Sequence, residues 1–467
     1  MKNIRIGILI LCFLASSELF AKEAISNSVK PAKTDTQIVE QIVDNYVSNG
    51  AFEGVILVSK SGRKIFEKAY GFANRAERKP ITNSSAFQLA SLSKPITATM
   101  ILMLKEQEKL SLSHTLADYF PEFNNTTGKQ ITIHHLLSHT SGIPNHFTID
   151  GWFNSDFHSS TTEQQFIEII AKLPITFEPG ADYLYSNPGY FLLGKIIEKV
   201  TGVPFSENVR KSIFEPLNMT HSGVAVGSQQ SADVVKAYQW SGDGGYEVLA
   251  DKNMTLFGAG AAIFSNAEDL YRFDMALYGN KLINKESKKQ LFNPESPYSW
   301  RVGVVPINQS IQANVHMYDG KIDGYSSMMM RFIDAKHSII LLSNTGMSYS
   351  LKQQLMLDVA SALFNRTVPN RKRDVSLALT NSINSGNFEK VLRELKTDNY
   401  DLDEQKMTAI AYELLWSGLA DKSLHLFAFI SDRFNESTTA KSNLTRACDH
   451  RLTKSVKDKA TICSAVQ

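Results

Sequence analysis

The feature that most constrains the fold is a set of strand signals placed at opposite ends of a long helical stretch. Val55 to Val58 and Lys64 to Tyr70 are strand-like runs separated by Ser61-Gly62, a hairpin signal. Met328 to Ile333 and Ser338 to Leu342 repeat the pattern across the polar turn Asp334 to Lys336. If all four runs share one antiparallel sheet, the two ends of the core close on each other and the helical middle must pack against that sheet. The expected fold class is therefore α/β: a sandwich with an antiparallel sheet flanked by helices, plus a small all-α C-terminal region.

Three helices are legible from periodicity and caps. Ile38, Ile42, Val43 and Tyr46 recur at helical spacing behind a capping box at Thr34 and Gln37. Gly189 to Thr201 puts Leu192, Leu193, Ile196, Ile197 and Val200 on one face and stops at Thr201-Gly202. Ser265 and Glu268 form a second capping box before Leu270, Phe273 and Leu277.

The first 21 residues, MKNIRIGILILCFLASSELFA, place Lys2 and Arg5 before an apolar run from Ile6 to Ala15 and end in small residues, the layout of a secretory signal peptide cleaved near Ala21. That run is too short to span a bilayer, so no transmembrane segment is expected in the mature chain. Leu11 before Cys12 is too bulky for a lipoprotein cleavage site. The expected destination is secreted, periplasmic. Without Lys2, Arg5 and Glu18 the chain keeps 49 − 2 = 47 basic and 47 − 1 = 46 acidic residues, a balance that steers nothing to nucleic acid. Cys448 and Cys463 then remain, 15 apart, either as a disulfide or as two free thiols.

One seam divides the mature chain. Asn365 to Asp374, NRTVPNRKRD, is polar, basic and carries Pro369, and reads as a linker between a main domain over 37–366 and a helical region over 374–467. Few contacts are expected to cross it. Beyond it, SGNFEKVLREL from Ser385 and SGLADKSLHLF from Ser417 place Gly386 and Gly418 32 residues apart, close to the tetratricopeptide period, which Ala411, Tyr412, Leu414 and Phe434 fit loosely. Degenerate repeats and a plain helical appendage both account for this, and the helices offer a surface for a protein partner.

The chemistry centres on Gln88 to Met100, QLASLSKPITATM, where Lys94 enters a helix that is apolar on every face. A buried lysine needs a reason. Residues three apart share a helix face, so Lys94 looks at Ser91 and away from Ser93. Burial depresses a lysine pKa and lets the amine take a proton from a serine hydroxyl, which makes Ser91 the candidate nucleophile. The bland alternative is a surface serine with a snorkelling lysine, because S-x-x-K recurs by chance. Tyr185-Ser186-Asn187 stands just before a helix. There a phenol close to a lysine would lose its proton more easily and relay it to Ser91 and the leaving group, while Asn187 would hold Lys94 and a substrate amide.

With these pieces the chain resembles the serine β-lactamase-related family, the group of class C β-lactamases, D,D-peptidases and family VIII esterases. The resemblance rests on Ser91-Leu92-Ser93-Lys94, on Tyr185-Ser186-Asn187, on ITIHHLLSHTSGIP from Ile131 and on GAGAAIFSNAEDLYRF from Gly258, in family order over roughly Ile38 to Leu363. It implies a β-lactamase/transpeptidase-like sandwich and hydrolysis through a Ser91 acyl-enzyme, with Lys94 and Tyr185 managing the proton and no cofactor. The third family motif, a Lys-Thr-Gly or His-x-Gly, falls on Tyr318-Asp319-Gly320, so its first position carries no cation. The family pattern makes the backbone N–H groups of Ser91 and Lys321 the oxyanion hole. Tyr318, Asp319, Gly320 and Lys321 join Asn187 as expected substrate-binding residues.

The expected substrate is a small ester, amide or peptide. Substrate carboxylates, as on β-lactams, should be disfavoured by a nearby Asp319 unless Lys321 swings in. His134, His135 and His139 invite zinc because His135 and His139 are four apart, but they lack the accompanying carboxylate, so no metal is expected; the resemblance implies instead that HTSG, His139 to Gly142, is a structural loop. Met328-Met329-Met330 reads as core and site wall. The competing functional reading is a noncatalytic cell-wall peptide sensor that uses the same pocket.

Overall fold

The structure is a computed structural model that describes residues 33–227, 234–240, 246–307, 311–365, 373–384, 386–396 and 400–464. Ser385, residues 366–372, Pro369 among them, and residues 1–32, which include the expected signal peptide, lie outside the described residues. Helix α1 (Asp35–Ser48) begins with the capping box at Thr34 and Gln37, and its stripe of Ile38, Val39, Ile42, Val43 and Tyr46 is buried. Strands β1 (Gly54–Lys60) and β2 (Arg63–Tyr70) form the hairpin, with Ser61 and Gly62 at φ 52° and 72°, the left-handed pair that a two-residue turn needs.

The downstream runs are β3 (Arg301–Pro306), β4 (Gln312–Ile322), β5 (Tyr325–Phe332) and β6 (His337–Ser343). All six strands make one antiparallel sheet in the order β3-β4-β5-β6-β1-β2, and Val55 opposite Leu342 closes the two ends of the core. Alternation assigns the faces. Ile56, Val58, Met328, Met330, Ile339 and Leu341 pack under α1 and the later helix α5 (Tyr349–Asn365), while Val55, Leu57, Met329, Ile340 and Leu342 meet the helical middle. The methionine run is thus core on both sides of a fully buried strand.

In that middle, α2 (Ser93–Glu106) is buried nearly all round. Helix α3 (Asn187–Thr201) starts two residues before the expected Gly189, because the Ser186 hydroxyl accepts from the Gly189 N–H at 3.2 Å and caps it, and Gly202 ends it at φ 75°. Helix α4 (Ala267–Tyr278) corrects the second capping box. Its cap is Asn266, whose side chain accepts from the Asp269 N–H at 2.8 Å, since Ser265 still pairs as strand with Phe87.

The C-terminal region is helical, with α6 (Val375–Asn384), α7 (Phe388–Glu394), α8 (Glu404–Trp416), α9 (Ala420–Arg433) and α10 (Thr438–Asp449) around a core of their own that includes Leu379, Phe388, Met407, Phe427 and Leu444. Gly386 and Gly418 turn the chain between helices at φ 71° and 80°. Cys448 and Cys463 are joined in a disulfide. None of the described helices is long and apolar enough to cross a membrane. Contacts do cross the seam, contrary to expectation. Glu413 of α8 reaches Lys321 of β4 at 3.1 Å and the Tyr349 N–H of α5 at 3.1 Å, and Lys406 donates to Gln354 at 3.0 Å.

Candidate active site

The nucleophile candidate stands on a sharp turn between a strand pair and a helix. Phe87 and Gln88 pair with Phe264 and Ser265, and the Leu89 N–H reaches the Ile263 carbonyl at 2.9 Å. Ala90 then adopts φ 49°, a left-handed conformation that costs an L-residue about 1–2 kcal/mol and is held by these flanking bonds. The turn delivers Ser91, partly exposed, to the head of α2, where Pro95 is tolerated because first-turn amides have no helical partner.

Lys94 follows one turn on and is fully buried. Its side-chain nitrogen donates to Asn187 Oδ1 at 2.7 Å and to the Gly260 carbonyl at 2.8 Å, and lies 3.1 Å from Ser91 Oγ. Burial drives its pKa well below that of a free lysine, and the distant Asp319 carboxylate only partly opposes this. Tyr185 completes the triangle, its hydroxyl 2.6 Å from Ser91 Oγ. Here the expectation of an easily lost proton is corrected. Burial raises the Tyr185 phenol above its ordinary value, outweighing the hydrogen bonds with Ser91 and Tyr318, and keeps it protonated. The group suited to accept the serine proton is therefore the Lys94 amine, and the phenol is a donor.

Ser93 is a different kind of serine. It is fully buried, and its hydroxyl accepts from the Ile263 N–H at 3.2 Å. A fluorophosphonate or penicillin probe is accordingly expected to label Ser91 alone, read by mass spectrometry of the digested adduct. Mass on the Ser93 side of the peptide would sink the assignment.

The three histidines separate. His134 Nδ1 meets the Tyr298 hydroxyl at 2.7 Å, and His135 Nδ1 accepts from the Thr132 N–H at 3.2 Å. His139 does more than shape a loop. Its ring lies 4.6 Å from that of Tyr185, its Nδ1 accepts from the Ser186 N–H at 3.1 Å, and burial holds it neutral, so it sets the Tyr185-Ser186-Asn187 turn. Asn187 holds Lys94 through Oδ1, and Asn145 takes its Nδ2 at 3.2 Å, which orients the amide.

The third motif lies on β4, directly against Ser91. A Cβ added at Gly320 would sit 2.1 Å from the Leu89 carbonyl and 2.9 Å from the Ser91 nitrogen, so only glycine lets the strand come this close. Strand β3 pairs with β4 only as far as Met317, which leaves the edge from Tyr318 onward facing the serine. Alternation sends Tyr318 to the site, where it hydrogen-bonds Tyr185, and turns Asp319 and Lys321 away.

This corrects two charge expectations. Asp319 is no free anion: Arg301 donates to it at 2.5 Å, and the buried Lys352 lies 3.5 Å away. Burial pushes the carboxyl up, but these two cations hold it below the usual range. Lys321 does not swing in, because it pairs with Glu413. Arg301, Lys352 and Glu413 were missed from sequence, as were Asn145 and the Gly260 carbonyl. Of these only Gly260 had a signal, as part of the quoted GAGAAIF segment.

Comparison with known proteins gives the family and the fold. Residues 38–360 match the family model described as Beta-lactamase. The chain belongs to the Beta-lactamase family. It is 31% identical over 345 residues to penicillin-binding protein 4* of Bacillus subtilis, covering 69% of this chain and 75% of that one. Among solved structures, a penicillin binding protein from Bacillus halodurans superposes with TM-score 0.59 at 27% identity, over 68% of this chain and 98% of the other. A D-stereospecific amidohydrolase from a Streptomyces species does so with TM-score 0.59 at 25% identity, over 72% and 100%. The fold and family are those of serine hydrolases, and this chain is one.

Proposed function

We propose that this is a secreted, periplasmic serine hydrolase that opens esters or amides through a Ser91 acyl-enzyme. The observation that carries the reading is the Ser91, Lys94 and Tyr185 triangle, with every side in hydrogen-bond or near-contact range around a fully buried amine. Ser91 Oγ attacks the carbonyl and gives its proton to the neutral Lys94 amine. The Tyr185 phenol passes a proton to the leaving group and regains one from the Lys94 ammonium; water then attacks the acyl carbonyl, gives a proton to the Lys94 amine, and the Ser91 oxygen leaves and is reprotonated. Charge on the attacked oxygen is met by the N–H groups of Ser91 and Lys321. The signal-peptide layout and the Cys448–Cys463 disulfide support the extracytoplasmic destination. The helical region would serve as a tetratricopeptide-like surface for a protein partner.

Neutral substrates fit best, for a reason different from repulsion by Asp319. Tyr318 brings no charge, and the cations around the motif are already committed: Arg301 and Lys352 to Asp319, Lys321 to Glu413. A substrate carboxylate would have to compete with those pairs. With Asp319 paired to two cations, its charge gives no reason to favour cationic substrates either. The amidohydrolase and penicillin-binding relatives support an amide or peptide bond as target.

The test is a panel of a chromogenic cephalosporin, short acyl esters and D-amino-acid amides on wild type and Ser91→Ala. Neutral esters or amides are expected to show kcat/KM about tenfold or more above the cephalosporin, a difference of about 1.4 kcal/mol in transition-state binding, and Ser91→Ala should lose both. A cephalosporin preferred over every ester and amide would reverse the charge argument.

A further inference from the structure

We propose that Glu413, on α8 of the C-terminal region, is a positioning residue for the oxyanion-binding edge of β4, which makes that region part of the catalytic unit. The inference rests on the acyl-enzyme reading, because only a reaction that builds charge on a carbonyl oxygen needs the Lys321 amide held within a fraction of an ångström.

The edge of β4 that faces Ser91 has lost its outer strand, since pairing with β3 ends at Met317. In-plane support there comes from β5 alone, which pairs with β4 through Ile322, and the rest comes from behind, where Asp319 and Lys321 point. There the buried Lys352 of α5 donates to the Gly320 and Ser327 carbonyls, each at 3.2 Å, and tethers β4 to β5. Glu413 supplies the second tether. One carboxylate oxygen takes the Lys321 ammonium at 3.1 Å and the other takes the first amide of α5, on Tyr349, at 3.1 Å. A single carboxylate therefore locks the residue whose own N–H lines the oxyanion hole to the start of the helix that carries Lys352. Its side chain is only 16% exposed, so water competes weakly for these bonds.

The experiment uses full-length wild type, Glu413→Gln, Lys321→Met, the double variant and Lys406→Met. Each is titrated for active Ser91 with a fluorophosphonate and assayed on a p-nitrophenyl ester. Glu413→Gln is expected to lower kcat per titrated serine about tenfold with KM within about twofold, a fraction of the loss seen when an oxyanion donor is removed outright. Lys321→Met should match it, and the double variant should fall no further, because both break one bond. Lys406→Met breaks another contact across the seam without touching β4, and should leave kcat unchanged.

An unchanged kcat per titrated serine in Glu413→Gln, additive losses in the double variant, or an equal loss in Lys406→Met would each overturn the proposal. If Glu413→Gln does not fold, Lys321→Met decides the matter from the strand side. Labelling of the wild type separates the two readings. No adduct on wild-type Ser91 brings down the acyl-enzyme and this inference together, whereas labelled wild type with an indifferent Glu413→Gln removes this inference alone.

Discussion

Lys94→Met is expected to lower kcat/KM on an alkyl ester by about a thousandfold, within the range that a positioned general base contributes. The amine is fully buried between Asn187, the Gly260 carbonyl and Ser91, so no water can take its place beside Ser91 Oγ. Lys94→Arg should fail as badly, because a guanidinium stays protonated at any working pH. The same residue predicts a stability signature. In the unfolded chain a lysine holds its proton up to about pH 10.5, whereas burial makes folded Lys94 release it far lower. Between those two values unfolding takes up one proton, so wild-type stability should rise with pH by about 1.4 kcal/mol per unit from this group. Turnover should climb over the lower end of the same window, as the amine becomes free to accept. Urea unfolding at several pH values, set against Lys94→Met, isolates the contribution. Parallel stability curves, or a variant that still turns over, would count against Lys94 as the base.

What could be seen in the sequence divides along a physical line. Ser91 and Lys94 were legible because their meeting is local: three residues on a helical turn suffice to bring them together. The sheet was legible because a period of two marks a strand wherever it lies, so Val55 and Leu342 could be assigned to one sheet from opposite ends of the core. The Ser265 cap failed by one residue because strand pairing with Phe87, a contact far along the chain, held Ser265 out of the turn.

The electrostatics behind β4 were illegible for the same reason. Asp319 meets Arg301 from β3 and Lys352 from α5, and Lys321 meets Glu413 from α8, none of which is near it in sequence. Without those partners an acidic residue in the third motif reads as a repelling charge. With them it is one member of a paired network. The Tyr185 phenol was misjudged in the same way, since its neighbour Lys94 could be read from the chain but the burial that raises its pKa could not. The polar linker after Asn365 suggested independence, yet a carboxylate from beyond it closes onto the motif.

Tyr185→Phe is expected to lower kcat on alkyl esters and amides by about a hundredfold or more, with circular dichroism unchanged. Phenylalanine keeps the ring that packs, tilted, against His139 and loses only the hydroxyl 2.6 Å from Ser91 Oγ. Because burial keeps that phenol protonated, its work is to hand a proton to the departing oxygen or nitrogen. The size of the loss should therefore depend on what departs. An alkoxide or amine is a poor leaving group until protonated, whereas p-nitrophenolate leaves as the anion and needs no donor. The variant should accordingly suffer far less on a p-nitrophenyl ester than on an alkyl ester of the same acyl group, and a plot of log kcat/KM against leaving-group pKa should be steeper than for wild type. Equal losses across the series would mean that the hydroxyl only orients Ser91. Near-normal turnover throughout would remove Tyr185 from the mechanism and leave Lys94 to move both protons.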